Sequence, residues 1–467
     1  MDDAADILLL ACYEMGHQPL SLAWPAAALH QAGHTARPVD LSVAALPRAA
    51  AARARFVGIA APMHTALRLG VRAAEEVRSL NPSAHICFYG LYAWLNADYL
   101  LATVADSVIA GEYEGPLVEL VAALKSALSG NNSGLGLNIP GVSTRDHREP
   151  PHLARSTLPP PNREGLPSLS NYARYLDNER YSLSGYVEAS RGCLHTCRHC
   201  PVVPVYGGRF FIVPVATVIA DIRAQVSAGA EHITFGDPDF LNGPGHALKL
   251  ARALHAEFPH LTFDFTTKVE HILQHRALMP EFRAMGASFV VSAFESTSDG
   301  VLRRLHKGHT RADMDETLTI LEAARLPVQP TWLPFTPWTT LDDYLDMLAW
   351  IRERDLIAHV PAVQLSIRLL VPPNSALLAN SPPGLFGALE PRNFSHAWRH
   401  PDPRMDELQA RVTVIAEGSA DNPPAAFAAI ERLAYGLAHR PLPATWGAGR
   451  SRHIRPTPPR LTEDWFC

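Results

Sequence analysis

The sequence predicts an α/β protein with two parallel-sheet regions in series and a small helical extension behind them. Apolar runs of about six residues alternate with helical patterns through the first 130 residues, and the alternation resumes from about residue 181. Buried strands that alternate with helices indicate a parallel sheet covered on both faces. Both regions are therefore predicted to be layered α/β units.

The first region, 1–130, carries four strand candidates: "DILLLACYE", "RFVGIAAP", "AHICFYG" and "ADSVIAGE". Helices are predicted over 19–32, 64–80 and 116–128. Pro19 near the start of the first helix and Gly33 just beyond its end favour those boundaries. This order predicts a Rossmann-like domain.

Residues 131–180 are rich in Gly, Asn and Pro, which predicts an irregular linker. Six strand candidates follow in 181–375: "SGYVEAS", "HITFGDPDF", "LTFDFTTK", "ASFVVSAFES", "PVQPTWLPF" and "AVQLSIRLLV". Helical stretches between them include 213–228, 243–257 and 311–325. Six βα units in a row predict a partial (β/α)6 barrel of TIM type, with its chemistry on the loops at the carboxyl ends of the strands.

The remainder, 376–467, is Pro-rich, with two predicted helices near 404–417 and 424–438 and a flexible tail. A formal charge of -5 on 467 residues gives no basic footprint for nucleic acid. The start is acidic, and no apolar run approaches the roughly 20 residues of a membrane span. We therefore expect a cytoplasmic protein with neither nucleic acid nor membrane as a partner.

Three of the six cysteines form the motif C-x3-C-x2-C directly after the first barrel strand: Cys193, Cys197 and Cys200. Three thiolates on a tight loop suit three corners of a 4Fe-4S cluster, and the fourth iron is left open for a substrate or cofactor. Two alternatives are a simple electron-transfer cluster and a structural zinc site completed by His195 or His199. In those readings the protein is non-catalytic and uses its first domain for binding.

A C-x3-C-x2-C loop after the first strand of such a barrel resembles the radical S-adenosylmethionine (radical SAM) superfamily. The resemblance implies that the open iron chelates S-adenosylmethionine, and that reductive cleavage of this cofactor drives radical chemistry on a small molecule. The residue before the third cysteine is commonly an aromatic packed near the adenine, and here it is His199. An electron donor such as flavodoxin or ferredoxin is also implied.

Later segments carry the resemblance further. The loop "FGDPDF" resembles the one that contacts the methionyl amine, which implies cofactor roles for Gly236, Asp237 and Asp239. The alternative for Asp237 is a helix cap. The segment "SAFESTSDGVLRRLHKGHT" resembles the fourth-strand region that reaches the ribose or the methionyl group, which points to Ser292 and Glu295.

Glu295 has a competing interpretation, and three further residues of the barrel are singled out. The alternative interpretation of Glu295 is a local cap or salt bridge, and that of Lys307 is a solvated charge at a helix end. If the last predicted strand alternates regularly, Gln364 and Arg368 point into a substrate cavity, where Arg368 would contact the cofactor.

A Rossmann-like domain ahead of the barrel resembles the cobalamin-binding subgroup of the superfamily, and "GEYEG" at 111–115 is similar to its Gly-Glu-x-Glu turn. In that subgroup the corrin lies on the carboxyl edge of the first sheet and faces the cluster. The Asp-x-His-x-x-Gly motif that supplies a cobalt ligand is absent after the first strand, where "CYEMGHQP" stands. Bound cobalamin is therefore left open, and His17 and His64 are interpreted as loop histidines.

The domain order and the tail "RLTEDWFC" resemble a narrower family with Cys-Sec-Ala-Glu-Pro or Cys-Cys-Ala-Glu-Pro tails, related to an arsinothricin-forming enzyme. That relation implies alkyl or 3-amino-3-carboxypropyl transfer to a metalloid such as arsenic held by Cys467, since a soft thiolate suits a soft acceptor. It also implies a UGA codon for selenocysteine after Cys467. Two alternatives stay open: a cobalamin-dependent methyltransferase, and a frayed, uninvolved terminus at Cys467.

Overall fold

The computed structural model describes residues 6–128, 138–154, 158–418, 422–443, 455 and 458–463. Within these residues, two mostly parallel sheets follow one another along the chain, each covered by helices. The predicted α/β fold class is thereby confirmed.

The first sheet has the strand order β2-β1-β3-β4-β5-β6, and its first five strands are parallel. The order 2-1-3-4-5 is that of flavodoxin-type doubly wound sheets, in which ligands bind at the carboxyl ends of β1 and β3. Each residue of β1 is buried because both faces of the sheet are covered. The strands are β1 Ile7–Ala11, β2 Ala36–Asp40, β3 Phe56–Ala60, β4 His85–Tyr89, β5 Ser107–Ile109 and β6 Val142–Thr144. The helices are α1 Leu20–Gln31, α2 Arg48–Ala51, α3 His64–Leu80, α4 Leu91–Leu95, α5 Ala97–Thr103 and α6 Glu114–Leu128.

The segment for which the sequence predicted an irregular linker contributes two strands. One is β6, which pairs antiparallel with β5 at the edge of the first sheet. The other is β7, Arg174–Asp177, which pairs antiparallel with the first barrel strand. The segment is therefore part of both sheets.

The second sheet has the order β14-β13-β12-β11-β8-β7-β17 and curls into a half-barrel whose first five members are parallel. Its strands are β8 Arg180–Val187, β11 His232–Phe235, β12 Thr262–Thr267, β13 Ala287–Glu295, β14 Val328–Trp332 and β17 Arg460–Leu461, and β9 Ser190–Gly192 pairs separately with β10 Phe210–Ile212. The helices are α7 Val202–Tyr206, α8 Val215–Ser227, α9 Pro244–Glu257, α10 Val269–Gln274, α11 Leu278–Ala284, α12 Asp299–Leu305, α13 Arg311–Ala323 and α14 Leu341–Glu353. Short 3-10 helices lie at Leu169–Asn171, Phe240–Asn242, Ile357–His359 and Ala362–Leu365.

The prediction of a sixth barrel strand at "AVQLSIRLLV" is wrong. Its first part is the 3-10 helix Ala362–Leu365, and its strand-like pairing is limited to an isolated bridge from Arg368 to Phe335. The apolar residues that follow, Leu369 and Val371, pack in a small cluster with α12 instead of extending the sheet. The barrel therefore has five parallel strands.

The described end of the chain is docked, which corrects the expectation of a flexible tail for this part of it. The short strand β17 pairs antiparallel with β7, and Leu461 is buried against Tyr175 and Phe289. At the opposite edge of the sheet, Gln329 Nε2 on β14 donates a hydrogen bond to the Pro459 carbonyl at 2.7 Å. Residues 459–461 thus span the lateral opening of the half-barrel. Cys467 lies outside the described residues.

The predicted C-terminal helices are confirmed as α16 and α17. The elements of this part are α15 Ala376–Ala379, β15 Leu389–Glu390, β16 Ser395–His396, α16 Pro403–Gly418 and α17 Pro423–Leu437. Among the residues that the structure describes, no helix combines the length and the apolar character that a bilayer span requires.

Candidate active site

The three motif cysteines lie on a hairpin that follows β8 at its carboxyl end. The hairpin is closed by the β9–β10 pair, and Cys193 N donates to the Arg209 carbonyl at 3.0 Å. Gly192 has φ +77°, and a Cβ there would lie 2.4 Å from the Arg209 oxygen, so this position needs glycine. Cys200 N then donates to the Cys197 carbonyl at 3.1 Å, a turn that brings the last two cysteines together.

The cysteine thiols are shielded from solvent. Cys193 and Cys197 are buried and Cys200 is partly exposed. Burial raises the pKa of the Cys193 thiol, and it raises that of Cys200 to about 12. Asn242 lies beside the first cysteine, with its Oδ1 3.6 Å from Cys193 Sγ and its buried Nδ2 without a hydrogen-bond partner among the described residues. Three shielded sulfurs suit iron, which binds cysteine as thiolate.

Lys307 places a buried positive charge beside the hairpin. It is 3% exposed, so the interpretation as a solvated helix-end charge is wrong. Its Nζ lies 3.0 Å from Glu295 Oε1, and the negative charge of Glu295, Cys197 and Cys200 raises the pKa of the lysine against the effect of burial. An ammonium at this point offsets the negative charge that thiolate ligands bring.

Glu295 joins the cysteine loop to the end of β13. Its Oε1 lies 3.4 Å from His199 Nε2, and Lys307 together with His199 holds the pKa of this carboxyl well below its usual range although burial opposes the shift. The backbone of Glu295 has φ +64°, in the left-handed region, and the pairing of β13 with β14 shifts register there. A non-glycine residue held in that region often marks a functional site.

The loop after β11 is bound to the cysteine hairpin by hydrogen bonds. Asp237 accepts from Ala189 N at 2.9 Å and from Ser190 Oγ, and burial raises its pKa to about 7. A Cβ on Gly236 would lie 2.2 Å from the Tyr186 hydroxyl, so a side chain is excluded there. The predicted loop therefore lies beside the predicted cysteines.

A chain of polar contacts runs from the hairpin to Asp239. His195 Nδ1 accepts from Lys268 Nζ at 3.0 Å, and its Nε2 lies 3.2 Å from His271 Nε2. His271 Nδ1 in turn lies 2.9 Å from Asp239 Oδ2, and Thr267 Oγ1 donates to Asp239 Oδ1 at 2.7 Å. Both nitrogens of His195 are thus engaged away from the thiols, which disfavours His195 as a fourth ligand of a zinc site.

The "GEYEG" turn of the first domain binds the other side of the hairpin through ion pairs and a hydrogen bond. Arg191, two residues before the first cysteine, is buried and has ion pairs with Glu112 at 3.3 Å, Glu114 at 2.7 Å and Glu188 at 2.7 Å. Tyr206 OH donates to Glu112 Oε1 at 2.8 Å. Burial raises the pKa of both Glu112 and Glu188, although Arg191 lowers them. Three carboxylates share one guanidinium here.

Two other predicted residues have different surroundings. Ser292 is fully buried on β13, and its Oγ has no hydrogen-bond partner among the described residues. Arg368 is held by the C-terminal extension, with an ion pair to Asp406 at 2.7 Å and a stacking contact with Trp398 at 3.6 Å. The strand alternation that placed Arg368 in the cavity is absent, whereas Gln364 does line a cavity in the barrel.

Several residues at this site were not identified from the sequence: Arg191, Asn242, Lys268 and His271. No local motif marks the last three, because they meet the hairpin through the curl of the sheet. The "SRGC" stretch contains Arg191 next to the cysteine motif, and a charged residue before a buried glycine turn was a usable signal.

The cysteine hairpin lies at the carboxyl end of the first strand of a curled parallel sheet. The model of the radical SAM superfamily matches residues 187–356, which confirms the resemblance at the level of the superfamily. Enzymes of this superfamily use a 4Fe-4S cluster and S-adenosylmethionine, so the predicted class of enzyme and its two cofactors are confirmed at the same level.

The curated relatives are distant. The tRNA-2-methylthio-N(6)-dimethylallyladenosine synthase of Clavibacter michiganensis subsp. michiganensis is 26% identical, with 38% of this chain and 42% of that protein covered. The chain spans about two fifths of the length of the curated relatives that it matches.

Two solved structures share the fold over most of the chain. The cobalamin-dependent S-adenosylmethionine radical enzyme OxsB has a TM-score of 0.66 at 14% identity, with 87% of this chain and 66% of that chain covered. The radical S-adenosylmethionine methyltransferase TsrM of Kitasatospora setae has a TM-score of 0.59 at 17% identity, with 75% and 71% covered. Both likenesses concern the fold.

Proposed function

We propose that this protein is a radical SAM enzyme that catalyses a transferase-type reaction on a small molecule. The observation that carries the proposal is the grouping of Cys193, Cys197 and Cys200 on one shielded hairpin beside the ammonium of Lys307. The hairpin lies where the carboxyl edges of the two sheets meet, which is where open α/β folds place their chemistry.

In this proposal the three cysteine sulfurs hold three irons of a 4Fe-4S cluster. When bound, the cluster and S-adenosylmethionine supply reductive cleavage of a sulfonium carbon–sulfur bond. Lys307 offsets the charge of the thiolates, and Asn242 orients the first cysteine. The packing of the hairpin against the first domain excludes water from the thiols.

The remaining predicted residues are proposed to orient S-adenosylmethionine. His199 offers its ring, Ser292 its unpaired hydroxyl and Glu295 a carboxylate that stays ionised. Gly236, Asp237 and Asp239 are proposed to act through the loop after β11. Arg368, which is held by the C-terminal extension, has the least support.

The test is anaerobic reconstitution of the full chain with iron and sulfide, followed by incubation with S-adenosylmethionine and a reductant. We expect a 4Fe-4S absorption band and a cleavage product of S-adenosylmethionine. A protein that binds zinc or a cluster but never cleaves S-adenosylmethionine would instead be the non-catalytic binding protein named as the alternative.

One finer version of the proposal is a cobalamin-dependent methyltransferase, which the fold likeness to OxsB and TsrM supports. An observation weighs against it. Leu91 and Trp94, which follow β4 at the edge where the corrin lies in that subgroup, pack against the buried cluster that contains Cys193, Val202 and Val205. Cobalamin therefore requires this contact to open. His17, the histidine nearest that edge on the β1 loop, is buried flat against Tyr186, with ring centroids 4.1 Å apart.

The other finer version is alkyl or 3-amino-3-carboxypropyl transfer to a metalloid held by Cys467. Its support is the direction of β17, which is antiparallel to β7 and hence runs toward the same edge as β8. Glu463, the last described residue, contacts Tyr13 on the loop after β1. Four further residues reach at most about 14 Å.

The products separate the two versions. Methylthioadenosine with arsenite as acceptor supports aminocarboxypropyl transfer, whereas S-adenosylhomocysteine together with co-purified cobalamin supports methyl transfer. Flavodoxin or ferredoxin is the proposed electron donor in the cytoplasm, and a chemical reductant replaces it in the assay. Sequencing the gene past the codon of Cys467 tests the selenocysteine hypothesis, which a UAA or UAG codon defeats.

A further inference from the structure

The interior of the half-barrel contains a cavity of about 280 Å³ that no part of the proposed cysteine site uses. Its walls come from β12, β13 and β14 through Asp264, Phe289, Val291 and Thr331, and Leu461 of β17 closes it from the side. At roughly 30 Å³ for a water-sized group, this volume takes on the order of ten non-hydrogen atoms. The cavity is thus sized for a small organic molecule.

Asp264 presents a carboxylate to this cavity. Its Oδ1 accepts hydrogen bonds from His232 Nε2 at 2.8 Å and from Thr234 Oγ1 at 2.7 Å, and the residue is 3% exposed. The His232 ring is itself stacked on Tyr175 at 3.9 Å. Among the described residues, none donates to Asp264 Oδ2. One oxygen is therefore held rigidly, and the other is left for a ligand.

His359 adds a second acceptor to the same cavity. Its Nδ1–H donates to the Val328 carbonyl at 2.8 Å, which leaves Nε2 as the bare nitrogen. That atom is buried and has no hydrogen-bond partner in the part of the chain that the structure describes. Burial also lowers the pKa of His359, so the ring stays neutral and offers a lone pair. A buried acceptor of this kind is costly unless a ligand donates to it.

The charges that line the cavity are unequal. Asp264 and Glu463 are carboxylates, and Arg460 is the guanidinium among the described lining residues. The net charge of the wall is negative, and the rest of the lining is largely apolar. Such a wall repels a carboxylate ligand and attracts an ammonium.

We propose that this cavity binds a small organic amine, whose ammonium donates to Asp264 and His359 and whose hydrocarbon part lies between Phe289, Val291 and Leu461. This proposal adds a substrate class to the proposed function. It depends on that function in one respect, namely that the bound amine is the substrate. The binding itself is independent of the chemistry at the cysteines.

Equilibrium binding tests the proposal, with the anaerobically reconstituted full chain titrated by calorimetry with hexylamine, hexan-1-ol and hexanoate. We expect hexylamine to bind at least about 10-fold more tightly than the alcohol, and hexanoate not to bind, because a hydrogen bond to a charged group is stronger than one between neutral groups. Asp264→Asn should weaken hexylamine binding by about 10-fold or more. The control is Asp98→Asn, on a side chain that is 96% exposed, which should bind like the wild type. Equal binding of the three probes, or an unchanged affinity in Asp264→Asn, overturns the proposal.

A second variant guards against misfolding of Asp264→Asn. Val291→Phe fills the cavity from β13 without touching the polar network, and Val414→Phe adds the same bulk at an exposed helix position. Only Val291→Phe should abolish hexylamine binding, and binding that survives in it contradicts the proposal. A protein that cleaves S-adenosylmethionine but ignores hexylamine refutes the amine site alone. One that binds hexylamine without cleaving S-adenosylmethionine refutes the proposed function alone.

Discussion

The two sheets meet at their carboxyl edges, and the two edges carry side chains with different functional groups. The barrel edge presents thiols and the ammonium of Lys307, whereas the edge of the first domain presents the carboxylates of Glu14, Glu112 and Glu114. The carboxylates of Glu112 and Glu114 bind Arg191 at the base of the cysteine hairpin. The difference teaches that, in this chain, the first domain braces the cysteine hairpin and the barrel supplies the proposed cluster ligands.

The largest expected effect comes from removing the proposed cysteine ligands at the barrel edge. Replacing Cys193, Cys197 or Cys200 with alanine should remove the 4Fe-4S absorption and lower S-adenosylmethionine cleavage by at least about 100-fold, since even residues behind the ligands cost 10–100-fold. Iron analysis and product chromatography measure both. The control is Cys87→Ala, a buried cysteine on β4, and equal loss of iron in this variant would contradict the assignment.

The next effect comes from removing the arginine through which the first domain holds the cysteine hairpin. Arg191→Ala leaves Glu112, Glu114 and Glu188 without their cation, and removing one partner of a buried ion network costs about 3–5 kcal/mol. Chemical denaturation should show that loss in the free energy of unfolding.

The matched control is Arg180→Ala, which removes an exposed ion pair with Glu231. We expect less than about 1 kcal/mol for it. If the two arginine variants lose equal stability, the first domain does not brace the hairpin through Arg191.

A smaller effect is a pH dependence at the first-domain edge. Burial raises the pKa of Glu14 to about 7, although hydrogen bonds from Ser21 and Leu20 oppose the shift. In the unfolded chain the value is about 4.3, so the folded state binds more protons between the two values and loses stability as pH rises through that window. Glu14→Gln should remove this loss, which is on the order of 2 kcal/mol between pH 5 and pH 8. Denaturation at several pH values measures it, with exposed Glu119→Gln as control, and parallel profiles for wild type and Glu14→Gln would sink the idea.

The smallest effect concerns the strand that spans the barrel opening. Leu461→Ala removes a side chain buried against Tyr175 and Phe289, and we expect β17 to undock at a cost of about 1–2 kcal/mol, because a two-residue edge strand opens locally. Limited proteolysis should then cut near residue 458 more rapidly. Leu442→Ala, at an exposed leucine, should leave the digestion pattern unchanged, and unchanged cutting in Leu461→Ala would argue against docking.

Much of the fold and the centre of the site were predictable from the sequence. The cysteine spacing is local, and so is the helix His64–Leu80, whose periodicity predicted its bounds. The sixth barrel strand was mispredicted because an apolar run reads alike whether it pairs in a sheet or packs on a helix, and Leu369 and Val371 pack near α12. Lys307 was misread because helix-end lysines are usually solvated, and only the tertiary fold brings Glu295 and two thiols to it. The partners of His195 come from the start of α10 and those of Asp264 from β11, and no local pattern encodes such contacts.

The course of β17 has a practical consequence for handling the protein. Because this strand runs parallel to β8, it places the end of the described chain, at Glu463, toward the junction of the two domains. Glu463 already crowds Gly16 there, since a Cβ on that glycine would lie 2.8 Å from the Glu463 side chain. An affinity tag on that end would compete for the same space, so purification handles and fluorophores belong at the amino terminus.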